Sequence, residues 1–218
     1  MDAAVRAGRI IGALIIFRMV GSSLVNFGLE APLFGTPGFL NNAAAHSTQI
    51  AIGALLGIGT EALWLATAVI AFPFLFERAR TLTFWFCALA VVILGIAVAE
   101  AASVMSMISA SEAYAKASPA GQEQLQIVRP VIAATRNWVH FLGRTADGVA
   151  TLLFYTVLYR AVLVPRWIPV IGIIAAVSML TGITQPFFGN AVIFPLLAPL
   201  AISELLLAVW LLAKGFRF

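Results

Sequence analysis

Long apolar runs, separated by short turns that contain proline, glycine or charged residues, cover most of this chain. A helix needs about 20 mainly apolar residues to cross a bilayer. Six segments meet this requirement: residues 9–29, 47–75, 82–108, 131–160, 167–187 and 192–213. The pattern therefore predicts an all-α, polytopic membrane protein, with six transmembrane helices in one bundle and a single domain over residues 1–218.

Turn-forming residues lie between the predicted helices. The Gly-Thr-Pro-Gly sequence at residues 35–38 separates the first two helices, and proline, glycine and asparagine at residues 185–190 mark the last turn. The longest linker, residues 109–130, contains Ser118 followed by Pro119, which are a favourable N-cap and first helical position. We expect this linker to be a loop that holds a short helix leading into the fourth transmembrane helix.

The composition agrees with a membrane environment. Of the 218 residues, 62% are hydrophobic and only 10% are charged, and the mean hydropathy is +1.03. Soluble domains carry about 25% charged residues, so this chain has too few charges to cover a globule in water. The net charge is +4, but no basic stretch is long enough to follow a phosphate backbone. We therefore expect a lipid bilayer as the main partner and no nucleic acid.

The distribution of lysine and arginine predicts the orientation. One side of the predicted bundle collects most of them: Arg6, Arg9, Arg78, Arg80, Arg160, Arg166, Lys214 and Arg217. The other side holds Lys116 and Arg129, with Arg136 near the interface. Cytoplasmic loops are enriched in basic residues, and an even number of spans returns the chain to its starting side. The sequence thus predicts both termini in the cytoplasm.

Several ionisable side chains fall inside the predicted spans. Such a residue costs about 2.5–3.5 kcal/mol on insertion scales, and for that reason it is a functional candidate. The candidates for ligand binding are Arg18, Glu61, Glu100, His140, Arg144, Asp147 and Glu204. One stripe of the fourth helix carries, at helical spacing, Arg136, His140, Arg144 and Asp147. Because lipid cannot satisfy these groups, we predict a polar cavity near the bilayer midplane.

The charges in these spans do not balance. Two arginines face four carboxyl groups, so either a carboxyl is protonated, as burial favours, or a cation is bound. A purely structural interpretation stays open, since buried arginine–carboxylate pairs also pin helices together. Arg144 and Asp147, three residues apart on one helix, would form such a local pair.

Other chemistries find little support in the sequence. The chain has two histidines, His46 and His140, and one cysteine, Cys87, and none of them lies at a metal-ligand spacing. It contains no P-loop, no dinucleotide-binding glycine motif and no nucleophile elbow. We predict no metal site, and the sequence indicates no particular cofactor.

Three segments of the chain resemble an uncharacterised family. They are Arg9-Ile10-Ile11-Gly12 at the first helix, Tyr159-Arg160 with Pro165-Arg166 after the fourth, and Glu204 followed by Trp210-Leu211-Leu212-Ala213-Lys214-Gly215 at the end. These motifs are similar to those of bacterial multi-pass inner-membrane proteins that are grouped as a domain of unknown function. The resemblance implies a bacterial inner-membrane protein of a six-helix type. It implies no activity and assigns no residue a role.

Three functions are compatible with this pattern. The first, which we favour, is the binding or transport of a small cationic or proton-coupled ligand in the polar cavity. The second is a membrane-embedded enzyme acting on a lipid or isoprenoid-like substrate, with Glu61, Asp147 and Glu204 as candidates for general acid and base. The third is a structural or accessory membrane subunit whose ion pairs only fix helix packing. The sequence leaves a homo-oligomer open.

Overall fold

Helices form every regular element in residues 3–216, the part of the chain that this computed structural model describes. The α-helices are named here in chain order: α1 Ala3–Leu24, α2 Ala31–Phe34, α3 Phe39–Asn42, α4 Ser47–Phe76, α5 Arg80–Lys116, α6 Pro119–Ala161, α7 Trp167–Ile183 and α8 Ala198–Lys214. A π-helical turn, Val25–Leu29, follows α1. Short 3-10 turns occupy Ala44–His46, Gln185–Phe188 and Phe194–Leu196. The predicted all-α class is confirmed.

Five helices in the described residues are long and apolar enough to cross a membrane: Ala3–Leu29, Ser47–Phe76, Arg80–Lys116, Trp167–Phe188 and Phe194–Lys214. They match five of the predicted segments, and the predicted number of six is wrong by this measure. The predicted span that is not matched, residues 131–160, lies within α6. The charged stripe interrupts its apolar residues, so its composition does not mark it as a span. The protein is an all-α, multi-pass membrane protein.

The linker between α5 and α6 is much shorter than predicted. Helix α5 runs to Lys116 and α6 begins at Pro119, so the loop expected over residues 109–130 is wrong. Ser118 does cap α6, because its Oγ accepts a hydrogen bond from the Gly121 amide at 3.4 Å. The residues that follow include alanine, glutamine, glutamate and leucine, which are good helix formers. The helix therefore continues where the polar composition had indicated a loop.

The turns predicted from glycine and proline are confirmed. Residues 35–38 connect α2 to α3, and Gly38 has a φ of 120°, which glycine adopts without steric cost. Asn42 fixes this turn by donating from Nδ2 to the carbonyl oxygen of Gly35 at 3.0 Å. Gly189, with a φ of 77°, ends the turn at Gln185–Phe188.

The chain divides into two compact units. Unit 1 comprises Met1–Met19, Glu61–Leu94 and Phe141–Phe218, and unit 2 comprises Val20–Thr60 and Gly95–His140. The boundaries between the units fall inside α1, α4, α5 and α6. Each unit has its own core of buried apolar side chains. The single domain over residues 1–218 stays a prediction.

An aromatic group lies in the core of unit 1. Trp64 of α4 packs edge-on against Phe86 of α5 and Phe154 of α6, with ring centroids 5.4 and 5.5 Å apart. Helix α1 comes very close to the end of α8, since a Cβ built on Gly8 would lie 2.3 Å from the amide nitrogen of Phe216. These contacts fix α1, α4, α6 and α8, which carry the charged side chains of the site in unit 1.

In unit 2, the short helices α2 and α3 pack against α4 and α5. Leu40, Ile50 and Met107 belong to one buried apolar cluster. Ser111 of α5 ties the segment after α3 in place, because its Oγ accepts from the Ala44 amide and donates to the Leu40 carbonyl oxygen, both at 2.8 Å. The chain between α1 and α4 is thus a folded part of this unit.

Candidate functional site

Five charged side chains meet inside unit 1, and we name them the Arg18 network. Arg18 comes from α1, Glu61 from α4, Arg144 and Asp147 from α6, and Glu204 from α8. The side chains of Arg18, Glu61 and Asp147 are only 9%, 4% and 5% exposed. All five residues were candidates from the sequence, and the structure brings them together from four helices.

Arg18 contacts all three carboxylates of the network. Its Nη2 donates to Oδ1 of Asp147 at 2.6 Å and to Oε2 of Glu61 at 3.2 Å. Its Nη1 lies 3.6 Å from Oε1 of Glu204. The guanidinium carbon also lies 4.8 Å from the centroid of the Trp64 ring, which adds a cation–π contact. One arginine therefore joins carboxylates from three other helices.

Arg144 is the second cation of the network. Its Nη2 donates to Oε1 of Glu61 at 2.6 Å, whereas its Nη1 lies 3.7 Å from Oδ2 of Asp147. Glu61 therefore accepts hydrogen bonds from both arginines, one through each oxygen. The local pair between Arg144 and Asp147 that their spacing indicates is present, but the hydrogen bond from Arg144 goes to α4.

Glu204 is held more loosely than the other two carboxylates. Its distance of 3.6 Å from Arg18 is longer than a good hydrogen bond, and its side chain is 14% exposed. Together with Arg18, Trp64, Thr151 and Tyr155 it lines a small cavity. The volume of this cavity that the centre of a water-sized sphere can occupy is about 10 Å³. One water molecule needs about this much.

Polar atoms in the wall of this cavity lack protein partners. Within the described residues, Thr151 Oγ1, Trp64 Nε1 and Arg18 Nε are buried and have no hydrogen-bond partner. Thr151 and Trp64 are only 1% and 2% exposed. A buried polar atom without a partner costs about 1–3 kcal/mol, so this wall favours a small polar occupant over an apolar one.

The Arg18 network contains more acid than base. Its two arginines carry two positive charges, and its three carboxyl groups carry three negative charges when all are ionised. An uncompensated charge taken out of water costs several kcal/mol. The network is neutral only when one carboxyl is protonated or one monovalent cation is bound.

The other two candidates from the sequence, Glu100 and His140, meet in unit 2. Oε1 of Glu100 lies 2.8 Å from Nδ1 of His140 and 3.0 Å from Nη2 of Arg136. Arg136 also donates to Oε2 of Glu30 at 3.1 Å. We name these four residues the Arg136 cluster. The seven predicted residues thus divide between the units, five in unit 1 and two in unit 2.

Sequence reasoning missed Glu30, which follows the π-helical turn at the end of the first span. The residue is only 4% exposed. Burial raises the pKa of its carboxyl above the usual range, and the neighbouring Arg136 opposes that rise. A signal was present in the sequence, because Glu30 is the only acidic residue between Asp2 and Glu61. Among residues 3–216, no group of three or more His, Cys, Asp or Glu side chains is arranged to hold a metal ion.

Residues 10–215 match a family model described as a domain of unknown function, DUF4386. The chain belongs to this family. The match confirms the resemblance to an uncharacterised family that the sequence motifs indicated. It covers every residue of the Arg18 network and of the Arg136 cluster, so both lie within the DUF4386 domain. No curated protein and no solved structure matches the chain.

Proposed function

We propose that this protein binds and releases a proton at the Arg18 network, and that it couples this proton to the binding or transport of a small ligand. Glu204 is the group that takes up the proton. One observation carries the proposal: two arginines meet three carboxyl groups in one buried network. A single proton makes this network neutral, and its release leaves one negative charge.

The bond lengths support Glu204 as the proton-binding group. Asp147 and Glu61 each accept a hydrogen bond of 2.6 Å from an arginine, and short charge-assisted bonds of this kind favour the ionised carboxylate. The contact between Glu204 and Arg18 is longer, at 3.6 Å. Protonation of Glu204 therefore disturbs the network less than protonation of either other carboxyl.

The cavity beside Glu204 supports a proton over a larger ligand at this position. The centre of a water-sized sphere can occupy about 10 Å³ of this cavity, which suits a single water molecule that can relay a proton. A cavity of this size is too small for a lipid or isoprenoid-like substrate. A metal cation in the same space would lie close to Arg18 and be repelled by it. The size of the space thus favours proton binding over the enzyme alternative.

Infrared spectroscopy tests this proposal directly. Wild-type protein in detergent at neutral pH should show the carbonyl stretching band of one protonated carboxylic acid, and the Glu204→Gln variant should lack this band. Glu77→Gln is the matched control, because Glu77 is exposed and lies outside the network. This control should keep the band.

Two results would contradict the proposal. A wild-type protein without the band would mean that all three carboxyls are ionised, as the structural-subunit alternative requires. A band that persists in Glu204→Gln would place the proton on another group.

The proposed location is a bacterial inner membrane, with the arginine-rich turn between α4 and α5 on the cytoplasmic face, as the distribution of basic residues supports. The side on which each terminus lies stays a prediction, since the five apolar helices alone do not give an even number of crossings. Labelling of single cysteines in that turn with a membrane-impermeant reagent, in whole cells and in broken cells, tests the assignment.

A further inference from the structure

Several helix ends meet at one end of unit 1. Arg78, in the turn between α4 and α5, donates a hydrogen bond to the carbonyl oxygen of Ala161 at the end of α6. The ring of Phe74, near the end of α4, has its centroid 6.0 Å from that of Phe216, which follows α8. The start of α1 comes close to the same residue at Gly8. We name this surface the basic end and define it by residues 3–10, 74–86, 158–170 and 211–216.

The basic end has a large excess of positive charge. Its four segments contain seven lysine or arginine residues and one acidic residue, Glu77. Helices α7 and α8 run between the basic end and the opposite end of the unit, where residues 184–203 contain no charged side chain. Within residues 3–216, the arginines Arg80, Arg160 and Arg166 form no ion pair with a carboxylate. These three arginines are therefore able to bind an external anion.

Two of these arginines lie over aromatic rings. The guanidinium carbon of Arg80 is 5.1 Å from the centroid of the Phe76 ring, and that of Arg166 is 5.6 Å from the centroid of the Tyr159 ring. Arg160 follows Tyr159 directly, and all three arginines are exposed. A guanidinium that stacks on a ring keeps the N–H groups at its edge, where they match the oxygens of a phosphate.

Exposed tryptophans accompany these arginines. Trp85 lies five residues after Arg80 in α5, and Trp167 begins α7 directly after Arg166. Tryptophan is enriched where lipid headgroups meet the acyl chains, because its ring is apolar and its N–H group is polar. Its presence beside both arginines indicates that they lie at the depth of the headgroup phosphates. A lipid therefore suits this surface better than a soluble anion does.

We propose that the basic end of unit 1 binds the headgroups of anionic phospholipids, with Arg80, Arg160 and Arg166 donating to the phosphate oxygens. Arginine pairs with phosphate through two parallel hydrogen bonds. A zwitterionic lipid such as phosphatidylcholine carries an additional cation, which the excess positive charge of this surface repels. The proposal holds for either leaflet. It concerns a different surface from the Arg18 network, so it can fail without the proton-binding proposal failing.

Quenching of tryptophan fluorescence by brominated lipids tests this inference on the full chain. Bilayers of phosphatidylcholine would contain a minor amount of either brominated phosphatidylglycerol or brominated phosphatidylcholine. Phosphatidylglycerol should have an apparent affinity at least about fivefold higher, which is what one basic residue near an anionic surface contributes. Added salt should reduce this preference. Combining Trp85→Phe with Trp167→Phe should remove it, because these two indoles report on the site.

The triple variant Arg80→Gln, Arg160→Gln, Arg166→Gln should be quenched equally by the two lipids. The control is Lys116→Gln, since Lys116 is an exposed basic residue at the last position of α5 and belongs to unit 2. This control should keep the preference. Equal quenching of the wild-type protein would overturn the proposal, and that measurement does not depend on whether any variant folds. A preference that persists in the triple variant, or that is lost in Lys116→Gln, would also overturn it.

Soluble glycerol phosphate distinguishes a lipid from a soluble anion, because it carries a phosphate group without acyl chains. Added to wild-type protein at the concentration of the brominated lipid, it should leave the preference for phosphatidylglycerol unchanged. Loss of the preference would overturn the assignment to a lipid and would indicate a soluble phosphate ligand.

Discussion

Replacing Arg18 by methionine should lower the free energy of unfolding by about 3–5 kcal/mol, the usual cost of removing one partner from a buried ion pair. Arg18 is buried and contacts Asp147, Glu61 and Glu204. Methionine fills a similar volume but leaves three carboxyl groups to share Arg144. Denaturation in detergent, followed by circular dichroism or by tryptophan fluorescence, measures the decrease in the free energy of unfolding.

The matched control is Arg6→Met, since Arg6 is an exposed arginine of the same helix. Surface substitutions usually change stability by less than about 0.5 kcal/mol.

Arg18→Lys should lower the free energy of unfolding by an intermediate amount, because a lysine keeps the charge but cannot donate in a planar fork. Adding Asp147→Asn to Arg18→Met should cost less than the sum of the two single changes, since the two groups are in contact. Equal stability of Arg18→Met and Arg6→Met would show that the network does not hold the helices together.

Substituting alanine for Gly8 should destabilise the protein by about 1–3 kcal/mol, the range found when groups are forced into a packed core. The new Cβ would lie 2.3 Å from the amide nitrogen of Phe216 and 2.7 Å from the carbonyl carbon of Gly215. Both are backbone atoms, so a change of side-chain rotamer cannot relieve the clash. Helix α1 would have to move away from the end of α8, and Arg18 would move with it.

Gly95→Ala is the control for this substitution. Gly95 is also a helical glycine, but apart from the adjoining backbone of its own helix, an added Cβ there would meet no atom of the described residues within 4 Å. Alanine is a better helix former than glycine by about 0.5–1 kcal/mol, so this variant should be as stable as wild type or more stable. If Gly8→Ala and Gly95→Ala had the same melting temperature, the close contact of α1 with the end of α8 would not contribute to stability.

The sequence carries a signal for the close contact at Gly8. Gly8 and Gly12 are four residues apart in an apolar helix, the small-residue spacing that allows two membrane helices to approach closely. A Cβ on Gly12 would lie 2.8 Å from the carbonyl oxygen of Ala208 on α8. The spacing indicates a contact face, but it does not name the partner helix.

The sequence by itself determined the class of protein and the positions of five apolar spans, because both depend on local composition. The sequence also predicted the helix that contains residues 131–160, but the charged residues of α6 lower the average apolar character of that helix, so its composition does not mark it as a span. The prediction of a loop over residues 109–130 is wrong, because the polar residues there favour helix. Hydropathy reports the chemistry of the side chains and not the backbone conformation, so a polar segment can still be helical.

Only the tertiary structure decided how the charged residues are paired. Arg144 and Asp147 are three residues apart, yet the 2.6 Å hydrogen bond of Arg144 goes to Glu61, 83 residues away. Glu100 and His140, which the sequence grouped with the other candidates, pair with Arg136 in unit 2, and they do so beside a glutamate that the sequence analysis overlooked. The physical reason is that an ionised side chain selects its partner by distance and burial. Both are set by helix packing between segments far apart in the chain.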